Sequence, residues 1–178
     1  IVPMRFTFLI LLSYFFLRAF GISTSYLGIL PRDVFGLIGV ITAPLAHGNL
    51  SHLMSNIFPV FLLTSLLYFF YDKIADQVFL YCYLVTNLLV WIIGRPYIHI
   101  GASGVIYGLA TFIVAMGIFR GRFISIVLAL LIVFLYGGMI YGILPSNPYI
   151  SWEAHFSGAL TGLLVGLWMS RQRRVSSL

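Results

Sequence analysis

A chain of 178 residues with 61% hydrophobic and 8% charged side chains does not have the composition of a water-soluble domain, in which about a quarter of residues are charged. Its formal charge of +6, from 10 basic and 4 acidic residues, needs no nucleic acid as partner. Basic flanks meeting the anionic headgroups of a lipid bilayer explain it.

A bilayer core of roughly 30 Å takes about 20 mostly apolar residues per helix. The sequence predicts six such spans, at about 4–22, 51–71, 75–94, 101–119, 122–142 and 152–170. Runs such as "FLILLSYFFL" and "SIVLALLIVFL" do not alternate as barrel strands would. The expected fold is therefore an all-α membrane protein, a six-helix bundle. With no internal repeat, low-complexity tract or second domain in view, residues 1–178 read as one membrane domain.

Arg5 ahead of the first apolar run resembles a signal peptide. The run is long for a signal core and no A-x-A-like site follows, so it is read as a span. The connection 23–50 contains Val34, Phe35, Leu37, Ile38, Val40, Ile41, Pro44 and Leu45, and so apolar a loop is expected to lie in the membrane interface. The second span opens in "HGNLSHLMSN", with His52 and Asn56 one turn apart on one face. Alone, that pair reads as interhelical hydrogen bonding, with Asn49 or Ser51 as the helix cap. The third span holds the one cysteine, Cys82, so no intrachain disulfide can form. Only Arg120-Gly121-Arg122 separates the fourth span from the fifth, and prolines in "GRPYIHI" and "ILPSNPYIS" break the other short connections.

Basic residues in short loops set orientation. With both termini in the cytoplasm, Arg5, Lys73, Arg120, Arg122, Arg171, Arg173 and Arg174 lie inside, against Arg18, Arg32 and Arg95 outside. Ser103, His52 and His155 then share the outward level of the membrane.

Polar groups in hydrocarbon need a reason. In the sixth span, His155, Gly158, Gly162 and Gly166 recur at steps of three, four and four, along one helical face. Gly104 and Gly108 of the fourth span form a matching face beside Ser103, with Tyr107 one turn on. Small faces let helices approach closely in lipid. Each helix alone would suit a glycine zipper with incidental polar residues. Together they can bring a hydroxyl to an imidazole, and a serine needs such a base to become a nucleophile. The acidic candidate for a third member, Glu153, falls on another face from His155, so packing by Tyr107 and the glycine seam is left to orient the imidazole. His52, Asn56 and the Ser103 backbone N–H can act as oxyanion donors. The α/β-hydrolase elbow G-x-S-x-G is excluded, because Val105 stands where its last glycine belongs and no βα alternation carries it. A zinc site from His47, His52 and His155 is disfavoured: the first two are five apart, and no cysteine or carboxylate completes the set.

"HGNLSHLMSN", "GASGVIYG" and "EAHFSGALTG", in this order and each on its own span, resemble the rhomboid intramembrane serine proteases of the basic six-helix prokaryotic type. The resemblance covers about residues 4–170. It implies Ser103 as nucleophile and His155 as base, with His52, Asn56 and the Ser103 amide around the oxyanion. It also implies support from His47, Gly101, Gly104, Tyr107, Gly158 and Gly162. It implies cleavage of transmembrane protein substrates near their outward ends, often after a small residue, in the cell membrane of a prokaryote, without cofactor, metal or nucleic acid. One departure is plain: Ile38 and Gly39 stand where the family often has Trp-Arg in its first loop, which touches how that loop is anchored. Two other readings compete. One is a catalytically silent relative that binds transmembrane helices, although such relatives usually lose the serine or histidine. The other is a small transporter, although the paired broken helices of that class are not seen.

Overall fold

The computed structural model describes residues 1–145 and 150–172. Part of the connection ahead of the sixth expected span, which is expected to face outward, and the Arg173-Arg174 end of the basic tail therefore lie outside the described residues.

The long helices are α1 (Val2–Ala19), α2 (Leu50–Phe70), α3 (Ala75–Ile93), α4 (Ser103–Arg120), α5 (Phe123–Tyr136) and α6 (Trp152–Ser170). Local chemistry sets their ends. Pro3 sits in the first turn of α1, where a missing N–H costs nothing. Asn49, one of the two expected caps of α2, accepts the His52 N–H at 2.8 Å. Gly121 takes φ +64° to close α4 and lets the chain reverse into α5 at once. The fifth expected span, 122–142, is only partly α-helical. Its α turns stop at Tyr136, and Gly137–Ile143 continues as a tighter 3₁₀ stretch. Two successive glycines, Gly137 and Gly138, weaken the α form where that change begins.

Five segments are long and apolar enough to cross a membrane: Val2–Ala19, Leu50–Phe70, Asp72–Ile93, Ser103–Arg120 and Phe123–Ile143. These make the protein an all-α membrane bundle. The sixth expected span, α6, is 19 residues long but is not among the five. Glu153, His155, Ser157, Thr161 and its glycines lower its apolarity, and those residues serve contacts inside the bundle instead of lipid.

The centre of the bundle is α4, 67% of which is buried, against 17–33% in the other four. It packs chiefly on α6. A Cβ on Gly158 would run into the carbonyl of Gly104, and one on Gly162 into the carbonyl of Gly108. Backbone thus meets backbone along this seam, and Thr111 Oγ1 crosses it to donate to the Ala159 carbonyl at 3.0 Å.

The first loop folds as short turns over Thr24–Leu27, Phe35–Ile38, Gly39–Thr42 and Ala43–Leu45. Val34, Phe35, Ile38 and Ile41 point outward, Phe35 with 83% of its surface exposed. The loop is held without a Trp-Arg pair. Tyr83, Asn87 and Trp91 of α3 donate to the carbonyls of Ile41, Val40 and Asp33, at 2.5, 3.0 and 2.8 Å. Arg32 returns the contact, donating to the Gly94 carbonyl at 2.8 Å. Gly39 is needed for a different reason: any side chain there would strike the backbone of Gly28.

Candidate active site

At the loop-covered end of the bundle an open cavity of about 1190 Å³ is lined by His52, Asn56, Ser103, Tyr107 and His155. Residues from three helices meet there. Ser103 opens α4, so its amide is among those that lack an intrahelical partner. His155 sits in the first turn of α6. The seam of Gly104, Gly108, Gly158 and Gly162 brings the two together, and His155 Nε2 lies 2.9 Å from Ser103 Oγ.

The other ring nitrogen fixes the direction of that bond. His155 Nδ1 is 2.9 Å from the carbonyl of Gly142, in the 3₁₀ stretch after α5. A carbonyl only accepts, so Nδ1 carries the proton and Nε2 is left to accept the Ser103 hydroxyl. Tyr107 lies flat against the face of the ring and donates its hydroxyl to the Met139 carbonyl at 2.7 Å. The turn after α5 therefore holds both rings by main-chain oxygens. Sequence reasoning missed this, because a carbonyl acceptor leaves no mark on residue type.

His52 comes close to the turn before Ser103. Gly101 has φ +107°, and a Cβ there would lie 2.6 Å from His52 Nε2. Glycine is thus required twice, by backbone conformation and by space. The Gly101 N–H is held by the Ala43 carbonyl at 2.9 Å. Asn56 faces the cavity, but its amide donates to the His52 carbonyl at 2.8 Å and to Ser55 Oγ at 3.2 Å. It must turn from those bonds to meet an oxyanion.

His47 lies behind His52, with ring centroids 4.9 Å apart, and is fully buried. Burial first, and the adjacent His52 second, push its pKa down to about 4, so it is neutral here. Glu153 is likewise buried and turned away from His155, and it pairs with Arg95. It is not a third member of a triad. Among the described residues, no three His, Cys, Asp or Glu side chains gather as a metal site requires.

The family described as the Rhomboid domain matches residues 34–172. Uncharacterized proteins of Mycobacterium tuberculosis and Mycobacterium bovis are 35% identical to this chain over 156 residues, which is 83% of it and 65% of each relative. One from Mycobacterium leprae is 30% identical over 155 residues, 82% of this chain and 61% of its own length. The chain thus spans a little under two thirds of the length of these relatives. The match takes in the helices that carry Ser103 and His155, most of the first loop, and both His47 and His52: the chain belongs to the rhomboid family.

Proposed function

We propose that this protein is an intramembrane serine protease that hydrolyses peptide bonds in or near the transmembrane helices of other membrane proteins. The observation that carries the proposal is the Ser103–His155 contact of 2.9 Å, with Nδ1 committed to Gly142 and Nε2 therefore free to accept. A serine hydroxyl becomes a useful nucleophile when a neighbouring base takes its proton as the bond to carbon forms.

Ser103 Oγ attacks the carbonyl carbon of the scissile peptide while its proton passes to His155 Nε2. The imidazolium so formed keeps its Nδ1–H on the Gly142 carbonyl, and Tyr107 supports its plane. The tetrahedral intermediate places its negative oxygen toward the Ser103 N–H, His52 and Asn56 once Asn56 releases its own helix. His155 then protonates the departing amine, and water enters the cavity to hydrolyse the acyl-enzyme by the same route reversed. No cofactor is required. The cavity opens at one end of the bundle, which supports cleavage near the end of a substrate helix and supply of water from the surface. Six crossings with both termini inside, in the cell membrane of a prokaryote, complete the proposal.

Purified protein in detergent should take up a fluorophosphonate probe and cleave a model transmembrane substrate with a small residue near its outward end. Ser103→Ala should abolish both, and His155→Ala nearly so, because nucleophile and base act as a unit. A chelator should change nothing, and turnover should fall in acid as His155 gains the proton it must accept. If folded wild-type protein takes no probe and cleaves no better than Ser103→Ala, the protein is a silent helix-binding relative instead.

A further inference from the structure

Glu153 is 1% exposed, and no step of the proposed reaction uses it. A carboxylate inside an apolar bundle needs a charged partner and filled hydrogen bonds. Arg95 supplies the charge and three of the hydrogen bonds. Glu153 Oε1 accepts from Arg95 Nε at 2.5 Å and from the Arg95 backbone N–H at 3.2 Å, while Oε2 accepts from Nη2 at 3.2 Å. The same Nη2 donates to the Ile150 carbonyl at 3.0 Å.

A second contact runs beside the first. His99 Nε2 lies 3.0 Å from the Arg95 carbonyl, which can only accept, so the proton is on Nε2. His99 Nδ1 then accepts the Ser151 hydroxyl at 2.5 Å. Ser151 is the cap of α6, and its oxygen accepts the Ala154 N–H at 3.4 Å. Two residues of the connection between α3 and α4 therefore grip the start of α6. That connection is itself anchored: His99 and Ile29 exchange backbone bonds of 2.9 Å in both directions.

The arrangement has a consequence for the reacting pair. The gripping connection runs directly into Ser103, and the gripped turn carries His155. Below them the α4–α6 seam is glycine against backbone, which sets the spacing of the helices but offers few directional contacts against sliding or rotation. Directional bonds are concentrated above it. We propose that Arg95 and Glu153, assisted by His99 and Ser151, form a latch that positions His155 against Ser103 by fixing the start of α6 against the connection that leads into α4. None of the four touches the reacting atoms; they are positioning residues. The inference rests on the protease reading of the same site.

Its test separates the two. The thiol introduced by Ser103→Cys, in a Cys82→Ser background, needs His155 to take its proton. Its rate of reaction with iodoacetamide at neutral pH then reports the contact, whatever the protein cleaves. Adding His155→Ala gives the slow baseline. Adding Glu153→Gln, nearly the same shape without the charge, should bring the rate close to that baseline. Adding Arg95→Lys, which keeps the charge and loses the fork, should fall between and covers failure of the glutamine variant to fold. In the serine enzyme, Glu153→Gln should lower kcat about 10- to 100-fold, as expected of a misplaced reacting group, with KM within about twofold. A Glu153→Gln or Arg95→Lys thiol that reacts as fast as the parent overturns the latch, as does a parent no faster than the His155→Ala baseline. Absence of probe uptake by the wild-type serine enzyme, with the thiol rates ordered as expected, overturns the protease reading and leaves the latch standing.

Discussion

The ring of Tyr107 lies flat against the imidazole of His155, with centroids 4.2 Å apart and planes within 8°. The stack closes one side of the histidine, and the Gly142 carbonyl holds its edge. Tyr107→Phe keeps the ring and loses the bond to Met139, so activity should fall only a few-fold. Tyr107→Leu removes the flat surface and should lower turnover at least tenfold, because a loosened imidazole spends less time aligned with Ser103. Probe-labelling rates of the two variants, measured at equal thermal stability, check this. Equal rates for both would show that the stack is only packing.

The glycine seam leads to a stability prediction. Gly158→Val and Gly162→Val both place side-chain atoms into a carbonyl of α4, and a backbone cannot move aside as a flexible side chain can. Overpacking of a tight interface typically costs ~1–3 kcal/mol, and these contacts belong at the upper end of that range. Both variants should unfold at lower temperature in detergent and lose most of their probe uptake. Gly138→Ala, where a Cβ meets nothing within 4 Å, is the matched control and should unfold like the wild type.

The seam also shows what could be read in the sequence. Periodic glycines on two apolar segments disclosed which helices touch, and the residues at the same end of each disclosed which side chains meet. The 3.6-residue repeat carries that information directly. What stayed hidden depends on main-chain atoms or on partners distant in sequence. The carbonyls of Gly142 and Met139 have no residue signature. Arg95 counted only as an outward charge, and Glu153 only as an acid on the wrong face. Each makes sense only when the chain brings them together. His99 could have been singled out, since it sits four residues before Ser103 in an apolar stretch, as exposed to question as His52. The span expected over 122–142 is present as Phe123–Ile143, but apolarity alone does not show that its α geometry stops at Tyr136.

Orientation rests on the distribution of basic residues, and the fold gives it a concrete form. Ser23 and Tyr97 lie at the cavity end, and Asp72 and Gln172 at the opposite end. Single cysteines at these positions, in a Cys82→Ser background, should react with a membrane-impermeant maleimide from outside intact cells at Ser23 and Tyr97 only. Asp72→Cys and Gln172→Cys should react only after the membrane is opened. Labelling of Gln172→Cys from outside would mean that α6 does not cross.

His47 makes a pH prediction whose sign follows from its burial. Folded, it is held down to about 4, by burial first and the neighbouring His52 second; unfolded, it returns to about 6.5. Between those values the unfolded chain binds a proton that the folded chain excludes. The stability linked to His47 is therefore whole above about pH 6.5 and is lost as the pH falls toward 4. One proton taken up on unfolding steepens the unfolding constant by about tenfold per pH unit within that window. The Leu45 backbone and the Asn56 side chain favour the charged ring, but burial and His52 outweigh them. His47→Gln fills similar space and cannot titrate. Unfolding of the two proteins in mild detergent, followed from pH 7.5 to pH 5, should give curves that diverge below pH 6.5, the wild type falling faster. Parallel curves would mean that His47 takes up its proton without leaving the folded bundle, and that its place behind His52 is open to water.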